Sequence, residues 1–553
     1  LLWFTVANVD LVPVGSRSWL ESLPKSLFSP GTQIELIRSE KIVRIVAPKA
    51  AAGLILQEIN SVLDKAHISL FEAARVSRER IDQSILDEAG KITQTVIRYD
   101  ESGLKIQVSW LPTLEAKPEG AEDLADIVHR LLYSAYGYQQ TGETTMDVLP
   151  AAYSYGGWYI VDYHNKGKLA WKDRVERWAR WTIATPRQGV KTMGRLHELP
   201  STILSQPLDT PTPLSFSPDG WSTEPQTTTR AVFGHVLHNE PAKPEAEPDP
   251  GPAEDGILRP EHTMPYNRNA DVHDKLDPAL RRTLAPLIPP LASLATITAH
   301  SATSPPESTI ILRFLPSPDN PSLPSLELSL SMDPDTGSLT PCSLCAINSV
   351  DMHDILLPAQ AVDVRLSHTT SYLLPGDRIA THCPSLSSFL AQSDLRPFDG
   401  VLTTPARPAP LRLPSRILGR STSDDSETVE AAYLFSGLEI RRSVATSVAG
   451  WKMSYTSVEA GQGGGRRAEL ALEGVPFGEV GKEETDFERF ERVALEEPAP
   501  AGAVPVPEEQ VWKKGAEGYV ATLSRLVIGK EFSWFGEMPE RERREWEERK
   551  AEV

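Results

Sequence analysis

The sequence predicts an α+β chain: tandem N-terminal α-β-β-α units, a basic aromatic helical segment, and a C-terminal β-rich domain with disordered insertions. Three observations predict it. Within residues 1–140, apolar alternation of period 2 gives way twice to a 3.6-residue repeat, the mark of a duplicated unit. From residue 230 to 473, short alternating runs recur between turn-forming links, as in an antiparallel α+β or barrel-like domain. The chain's 47 prolines collect in those links rather than in the runs.

The first unit, 1–70, centres on Ile34 to Ala66. Two alternating runs meet at Ser39-Glu40, and a helix follows Pro48 with Ile55, Ile59, Val62 and Leu63 on one face. Such a helix covers the hairpin, which two strands alone leave marginal. The second unit, 71–140, repeats the pattern. Thr95 to Tyr99 and Leu104 to Leu111 flank the turn Asp100-Glu101-Ser102-Gly103, and a helix from Ala121 to Ala135 carries Leu124, Ile127, Val128, Leu131 and Leu132. A short helix is expected before each hairpin, Ser18 to Phe28 and Ser84 to Thr93.

A helix, two antiparallel strands and a helix resemble the back half of a KH-type RNA-binding domain, which clamps single-stranded RNA with a GxxG loop. The equivalent loops here are Gly15-Ser16-Arg17-Ser18 and Arg78-Glu79-Arg80-Ile81. Neither keeps both glycines, so the backbone cannot approach phosphates as closely. Arg17, Arg78 and Arg80 are candidate RNA contacts; the alternative is that both units dock proteins.

The segment 141–229 is aromatic and basic. Leu169 to Thr182 reads as a helix with Trp171, Val175 and Trp178 on one face and Lys172, Arg174, Arg177 and Arg180 around it. Aromatics interleaved with cations suit base stacking and phosphate neutralisation; they equally suit a helix with core tryptophans and solvated arginines. Trp171, Lys172, Arg174, Arg177 and Arg180 complete the candidate RNA set, and the same basic segment suits an anionic lipid surface.

The β-rich domain, 230–473, holds strand candidates at Arg230 to His238, Thr309 to Leu315, Leu326 to Met332, Val362 to Ser367, Thr428 to Ile440, Trp451 to Val458 and Arg467 to Leu472. An acidic, proline-rich stretch at about 240–272 has little to bury and reads as a disordered insertion. A helix with Leu276, Leu280, Leu284 and Leu287 follows it. The charged tail, 474–553, contains helices over Gln510 to Ile528 and from Pro539 onward.

Net charge is −19, so any RNA site is a local basic patch on an acidic molecule. Three cysteines exclude a disulfide scaffold and fit a reducing compartment. Cys342 and Cys345 form one CxxC without a second pair at zinc-site spacing, so neither metal nor cofactor is expected. Gly461 to Gly465 lack the Lys-Ser/Thr and helix of a phosphate loop. They read as a hairpin turn whose exit residues, Arg466 and Arg467, are candidate anion or partner contacts. No G-x-S-x-G elbow, HExxH, kinase set or dinucleotide fingerprint is present, which points to a non-enzymatic chain. No apolar run reaches the roughly 18 residues of a membrane span; the nearest candidate, Leu284 to Thr298, is too short and holds three prolines.

Three stretches carry a family resemblance: AVFGHVLH at Ala231 to His238, VDMHDILLPAQAVDVRLS at Val350 to Ser367, and YLFSGLEIRRS with WKMSYTSVEAGQGGGRRAELAL between Tyr433 and Leu472. Together they resemble the fungal mitochondrial inner-membrane-bound regulators, the Sls family, which carry KH-like repeats ahead of a C-terminal domain. The resemblance implies a factor on the matrix side of the inner membrane. It would coordinate mitochondrial transcription with membrane-localised translation, with the mitochondrial RNA polymerase machinery and translational activators as partners. Direct contact with single-stranded RNA, and attachment to the inner-membrane surface without a visible transmembrane helix, are expectations alongside it. The alternative is a protein-only scaffold with degenerate KH-like folds.

Overall fold

The structure is a computed structural model, and it describes residues 11, 32–37, 42–77, 81–100, 104–111, 122–149, 158–183, 199–204, 208, 214–239, 264–265, 281–290, 293–294, 303–418, 428–461, 465–476 and 508–534. The first unit is a hairpin of β1 (Gln33–Ile37) and β2 (Ile42–Val46) followed by α1 (Lys49–Leu63). Ile55, Ile59 and Leu63 turn inward, and Ile34 and Ile45 of the hairpin pack against them. The expected helix at Ser18 to Phe28 lies outside the described residues.

The second unit has a strand that the sequence reading did not assign, β3 (His67–Glu72). After it come α2 (Gln83–Thr93), β4 (Val96–Asp100), β5 (Lys105–Trp110) and α3 (Leu124–Leu132). The three strands form an antiparallel sheet in the order β3-β5-β4. Ile106 and Val108 on β5 meet Leu86 and Ala89 on α2 and Val128, Leu131 and Leu132 on α3. The helix α3 starts where Asp123 and Asp126 form a reciprocal capping box, satisfying two backbone N–H groups that the first turn cannot.

Around and beyond these units lie the remaining strands. They are β6 (Thr144–Val148), β7 (Trp158–Asp162), β8 (Trp178–Ile183), β9 (Gln226–Asn239), β10 (Met264–Pro265), β11 (Arg282–Pro286), β12 (Glu307–Pro316), β13 (Ser325–Met332), β14 (Leu339–Leu356) and β15 (Asp363–Pro375). Helices α4 (Gly376–His382) and α5 (Pro384–Gln392) follow, with the short hairpins β16 (Asp394–Arg396) and β17 (Val401–Thr403), and β18 (Leu411–Pro414) and β19 (Thr428–Ala431). The chain then runs through β20 (Tyr433–Val448), β21 (Trp451–Ala460), β22 (Gly465–Pro476) and α6 (Glu508–Ile528).

Eight strands close a ring, β9-β15-β14-β13-β12-β20-β21-β22 and back to β9, with every pairing antiparallel. Closure removes sheet edges, which is how an all-antiparallel domain of this size avoids open pairing groups. One outer face of the barrel carries Leu312, Phe314, Leu328, Leu344 and Phe435 under Ile379 of α4 and Leu386 and Phe389 of α5. Another carries Phe233, Val364, Leu366, Leu470 and Leu472 under Tyr519, Leu523 and Leu526 of α6. The charged tail therefore contributes a covering helix to the barrel, fixed by a bond from the Tyr519 hydroxyl to the Leu472 carbonyl at 2.9 Å.

Three expected elements differ. Leu169 to Thr182 is not a helix: Trp171–Arg174 forms a 3-10 turn, and Trp178 begins β8, which pairs with β7 and β9. Leu284 lies in the strand β11 against β9, not in a helix; Leu276 and Leu280 lie outside the described residues. Thr428 to Ile440 divides into β19 and β20. Of the insertion at about 240–272 only β10 is described, and the tail from Pro539 lies outside.

Candidate nucleic-acid interface

The loop between β3 and α2 is where a KH domain would grip RNA. Its Arg78 and Arg80, and Arg17 of the first unit, lie outside the described residues. Next to the loop, Arg75 ends a short 3-10 turn. His129 on α3 is held neutral: burial, with Arg75 and Arg407 nearby, lowers its pKa to about 4. Phe71 of β3 meets the His129 ring edge-on at 5.2 Å.

The second unit sits on the barrel through α3. Arg130 and Glu122 form a pair with side chains only 9% and 8% exposed. Glu122 accepts from Arg130 Nη2 at 3.0 Å, while Arg130 Nη1 donates to the Ser436 carbonyl of β20 at 2.9 Å. The guanidinium also lies over the Phe435 ring, 5.1 Å from its centre. The Tyr133 hydroxyl donates to the Pro316 carbonyl of β12 at 2.9 Å, and the Glu122 N–H donates to the Thr404 carbonyl at 3.2 Å.

The basic aromatic segment joins the same interface. Trp171 is buried in the core of the second unit, beside Val175 and Leu315 of β12. Lys172 donates to the Ala135 carbonyl at 3.4 Å, and burial together with Arg281 lowers its pKa. Arg174 Nε donates to the Leu169 carbonyl at 3.1 Å. Trp178 is buried, and its indole N–H donates to the Asp173 carbonyl at 2.6 Å. Arg180 forks onto Asp363, at 2.9 and 3.1 Å, and reaches the Gln360 carbonyl at 3.0 Å. Arg177 is exposed. The structure thus brings Trp171 and Lys172 to the second unit and carries Arg180 to the barrel, and the two tryptophans serve as packing.

Sequence reasoning missed a constellation inside the barrel. On β9, β12, β13, β20 and β22 the residues alternate with the outer apolar ones, and this inner set is charged. Glu439 on β20 accepts from Arg441 Nη2 at 2.8 Å, from Arg313 Nη1 of β12 at 3.3 Å, and from Arg467 Nη2 of β22 at 3.3 Å. The strands β20 and β22 are not neighbours, since β21 lies between them, so these side chains meet across the concave side. Arg313 also binds Glu327 at 2.8 Å, and Glu469 takes Arg467 at 2.6 Å and Arg230 at 3.2 Å. Burial pushes the Glu439 pKa up, but Arg313, Arg441 and Arg467 overcome it and hold the carboxylate at about 2. Arg467 had a sequence signal, as an arginine leaving a glycine-rich turn. Arg466 beside it points outward to an exposed pair with Glu459 at 3.4 Å.

Cys342 is exposed, Cys345 half-buried and Cys383 buried, and burial raises the thiol pKa values of Cys345 to about 11 and Cys383 to about 12. Among the described residues, no three His, Cys, Asp or Glu side chains converge as metal ligands. No helix among them is long and apolar enough to cross a membrane.

Comparison with protein families gives three matches along the chain. Residues 3–66 match the SLS1 protein first KH domain, 63–135 the SLS1 protein second KH domain, and 167–496 the SLS1 protein C-terminal beta barrel domain. No curated protein matches the sequence. Among solved structures, the S. pombe Pct1 RNA triphosphatase in complex with the Spt5 CTD is similar at 11% identity. It covers 56% of this chain and 86% of its own, with a TM-score of 0.24. The S. pombe Pct1 RNA triphosphatase alone gives 11% identity over 64% of this chain and 100% of its own, with a TM-score of 0.25.

Proposed function

This chain belongs to the SLS1 family, and from that premise we propose that it is a non-enzymatic regulator of mitochondrial gene expression. In this reading it coordinates transcription and translation of mitochondrially encoded genes on the matrix side of the inner membrane. Its partners are the mitochondrial RNA polymerase machinery and translational activators, and its KH units contact single-stranded RNA. The observation that supports RNA contact most directly is the pair of KH domains, the second of which is fastened to the barrel by Arg130.

One observation favours a second reading, a protein scaffold without RNA. Lys172, Arg174 and Arg180 spend donors on carbonyls and on Asp363, leaving fewer cations for phosphates.

The test is binding of the full chain to a single-stranded RNA across a salt series. Contact predicts log K falling with log salt by about 0.7 per neutralised phosphate, with a shallower slope when Arg78 and Arg80 become Ala. A folded chain with no affinity at low salt would leave the scaffold. Co-purification with the RNA polymerase or the ribosome from mitochondria tests the partner set for either reading.

A further inference from the structure

An eight-stranded barrel has an interior just wide enough to be filled by side chains or to hold one small ligand. Here the interior is mixed: Ile311 and Val458 share the face of Glu439, Arg441 and Arg467, and charged and hydroxyl side chains fill much of the rest. Small residues, Ser329, Ser443 and Ser454, alternate around it with the long charged ones. Arg313 lies between Glu327 and Glu439, and 39% of its side chain remains accessible.

Charges placed inside a protein are costly, and an apolar filling is often equally or more stable. The set is also unbalanced. Arg230, Arg313, Arg441, Arg467 and Lys452 face Glu327, Glu439, Glu469 and Glu473, five cations against four carboxylates. The hydrogen bonds show where the surplus lies. Arg313 uses Nε and Nη1, Arg441 uses Nε and Nη2, Arg467 uses Nε and Nη2, and Arg230 uses only Nη1. Among the described residues, Nη2 of Arg313, Nη1 of Arg441, Nη1 of Arg467 and Nη2 of Arg230 have no acceptor. None of them is a sealed, orphaned donor either, so each keeps some access to solvent.

We propose that the barrel lumen is a binding site for a small phosphate-bearing polyanion, held by the unused guanidinium nitrogens of Arg230, Arg313, Arg441 and Arg467. Guanidinium groups match phosphate oxygens in geometry and stay charged at any physiological pH. The four nitrogens come from four strands, so the ligand must present oxygens in several directions, as a short chain of phosphates does. The Glu residues fix the arginines beforehand, which lowers the ordering cost of binding. Hydroxyls on the wall, such as the Ser443–Thr456 pair at 3.0 Å, add neutral donors. This site is independent of RNA contact by the KH units. Its ligand is either a free phosphate compound or the phosphorylated 5′ end of an RNA.

The experiment uses the full chain. Sodium tripolyphosphate, pyrophosphate and orthophosphate are titrated by calorimetry at low ionic strength, and arginines are modified with phenylglyoxal and mapped by mass spectrometry. Tripolyphosphate is expected to bind and to slow modification of the four lumen arginines, but not of exposed Arg442 on the outer face. Arg230→Gln and Arg441→Gln should each weaken binding at least tenfold, while Arg442→Gln changes it less than twofold. An RNA oligonucleotide with a 5′-triphosphate is compared with its 5′-hydroxyl twin. Protection by the first alone assigns the site to RNA ends, and protection by tripolyphosphate but neither RNA assigns it to a free anion. Absence of both binding and protection in the folded wild-type chain overturns the proposal, even if the variants fail to fold. So does binding that both lumen variants leave unchanged.

Discussion

The first unit packs α1 on a two-stranded hairpin and meets the second unit through Leu111 and Val96. The second unit has three strands and two helices. It is tied to the barrel by Arg130, Tyr133 and the buried Trp171. Their ion pairs differ in the same way. Arg44–Glu35, on the first hairpin, is 67% and 61% exposed at 3.6 Å, whereas Arg130–Glu122 is almost wholly buried and shares its guanidinium with the barrel. Two units with one sequence pattern thus stand in different mechanical relations to the rest of the chain. The amphipathic repeat specifies the fold of each; a few buried polar contacts specify the docking.

The largest expected effect comes from breaking the docking. Arg130→Ala takes the buried guanidinium away from the buried Glu122 carboxylate and removes the bond to the Ser436 carbonyl, a loss of about 3–5 kcal/mol. The second unit should then unfold ahead of the barrel, splitting one calorimetric transition into two. A single unsplit transition at the wild-type midpoint would show that the unit holds without this pair.

A change inside the barrel sharpens the comparison because it touches neither unit. Glu439 has its carboxyl held at about 2 against an ordinary 4.5. The folded value lies below the unfolded one, so its stabilisation is complete above about pH 4.5 and fades as pH falls toward 2. The difference corresponds to about 3 kcal/mol at neutral pH. Glu439→Gln should lower denaturant stability by about that amount at pH 7 and roughly half of it near pH 3. A deficit independent of pH would mean that Gln fails for shape and not for charge.

Much of this architecture could be read from the residues. The alternating runs at Leu326 to Met332, Thr309 to Leu315 and Arg467 to Leu472 are strands, and the stripe of α3 is buried as its period requires. What escaped has physical causes. Leu339–Leu356 lacks clean alternation because a bulge between Ile347 and Ser349 resets which residues face out. Trp171, Val175 and Trp178 have helical spacing, but pairing of β8 with two neighbours outweighs that local pattern. The lumen was the deepest loss. A polar residue in an alternating strand reads as solvent-facing, and a charged barrel interior and bulk water leave the same signature. Arg230 and Arg467 are far apart in sequence, and only closure of β22 onto β9 brings them to one carboxylate.

The smallest expected effect returns to the first unit. Arg44 and Glu35 sit opposite one another on β2 and β1, so their side chains meet on one face of the hairpin. Both are well exposed, so water and salt screen their attraction, and holding two long side chains together costs rotamer entropy. Exposed pairs of this kind contribute about 0–1 kcal/mol. Arg44→Ala should therefore shift stability by no more than about 0.5 kcal/mol, and any shift should vanish as salt rises toward about 1 M, where the Debye length is only about 3 Å. Set beside Arg130→Ala, this separates docking from local pairing. A salt-independent loss in Arg44→Ala close to that of Arg130→Ala would place a second buried junction at the first hairpin, and the two units would then be fastened alike.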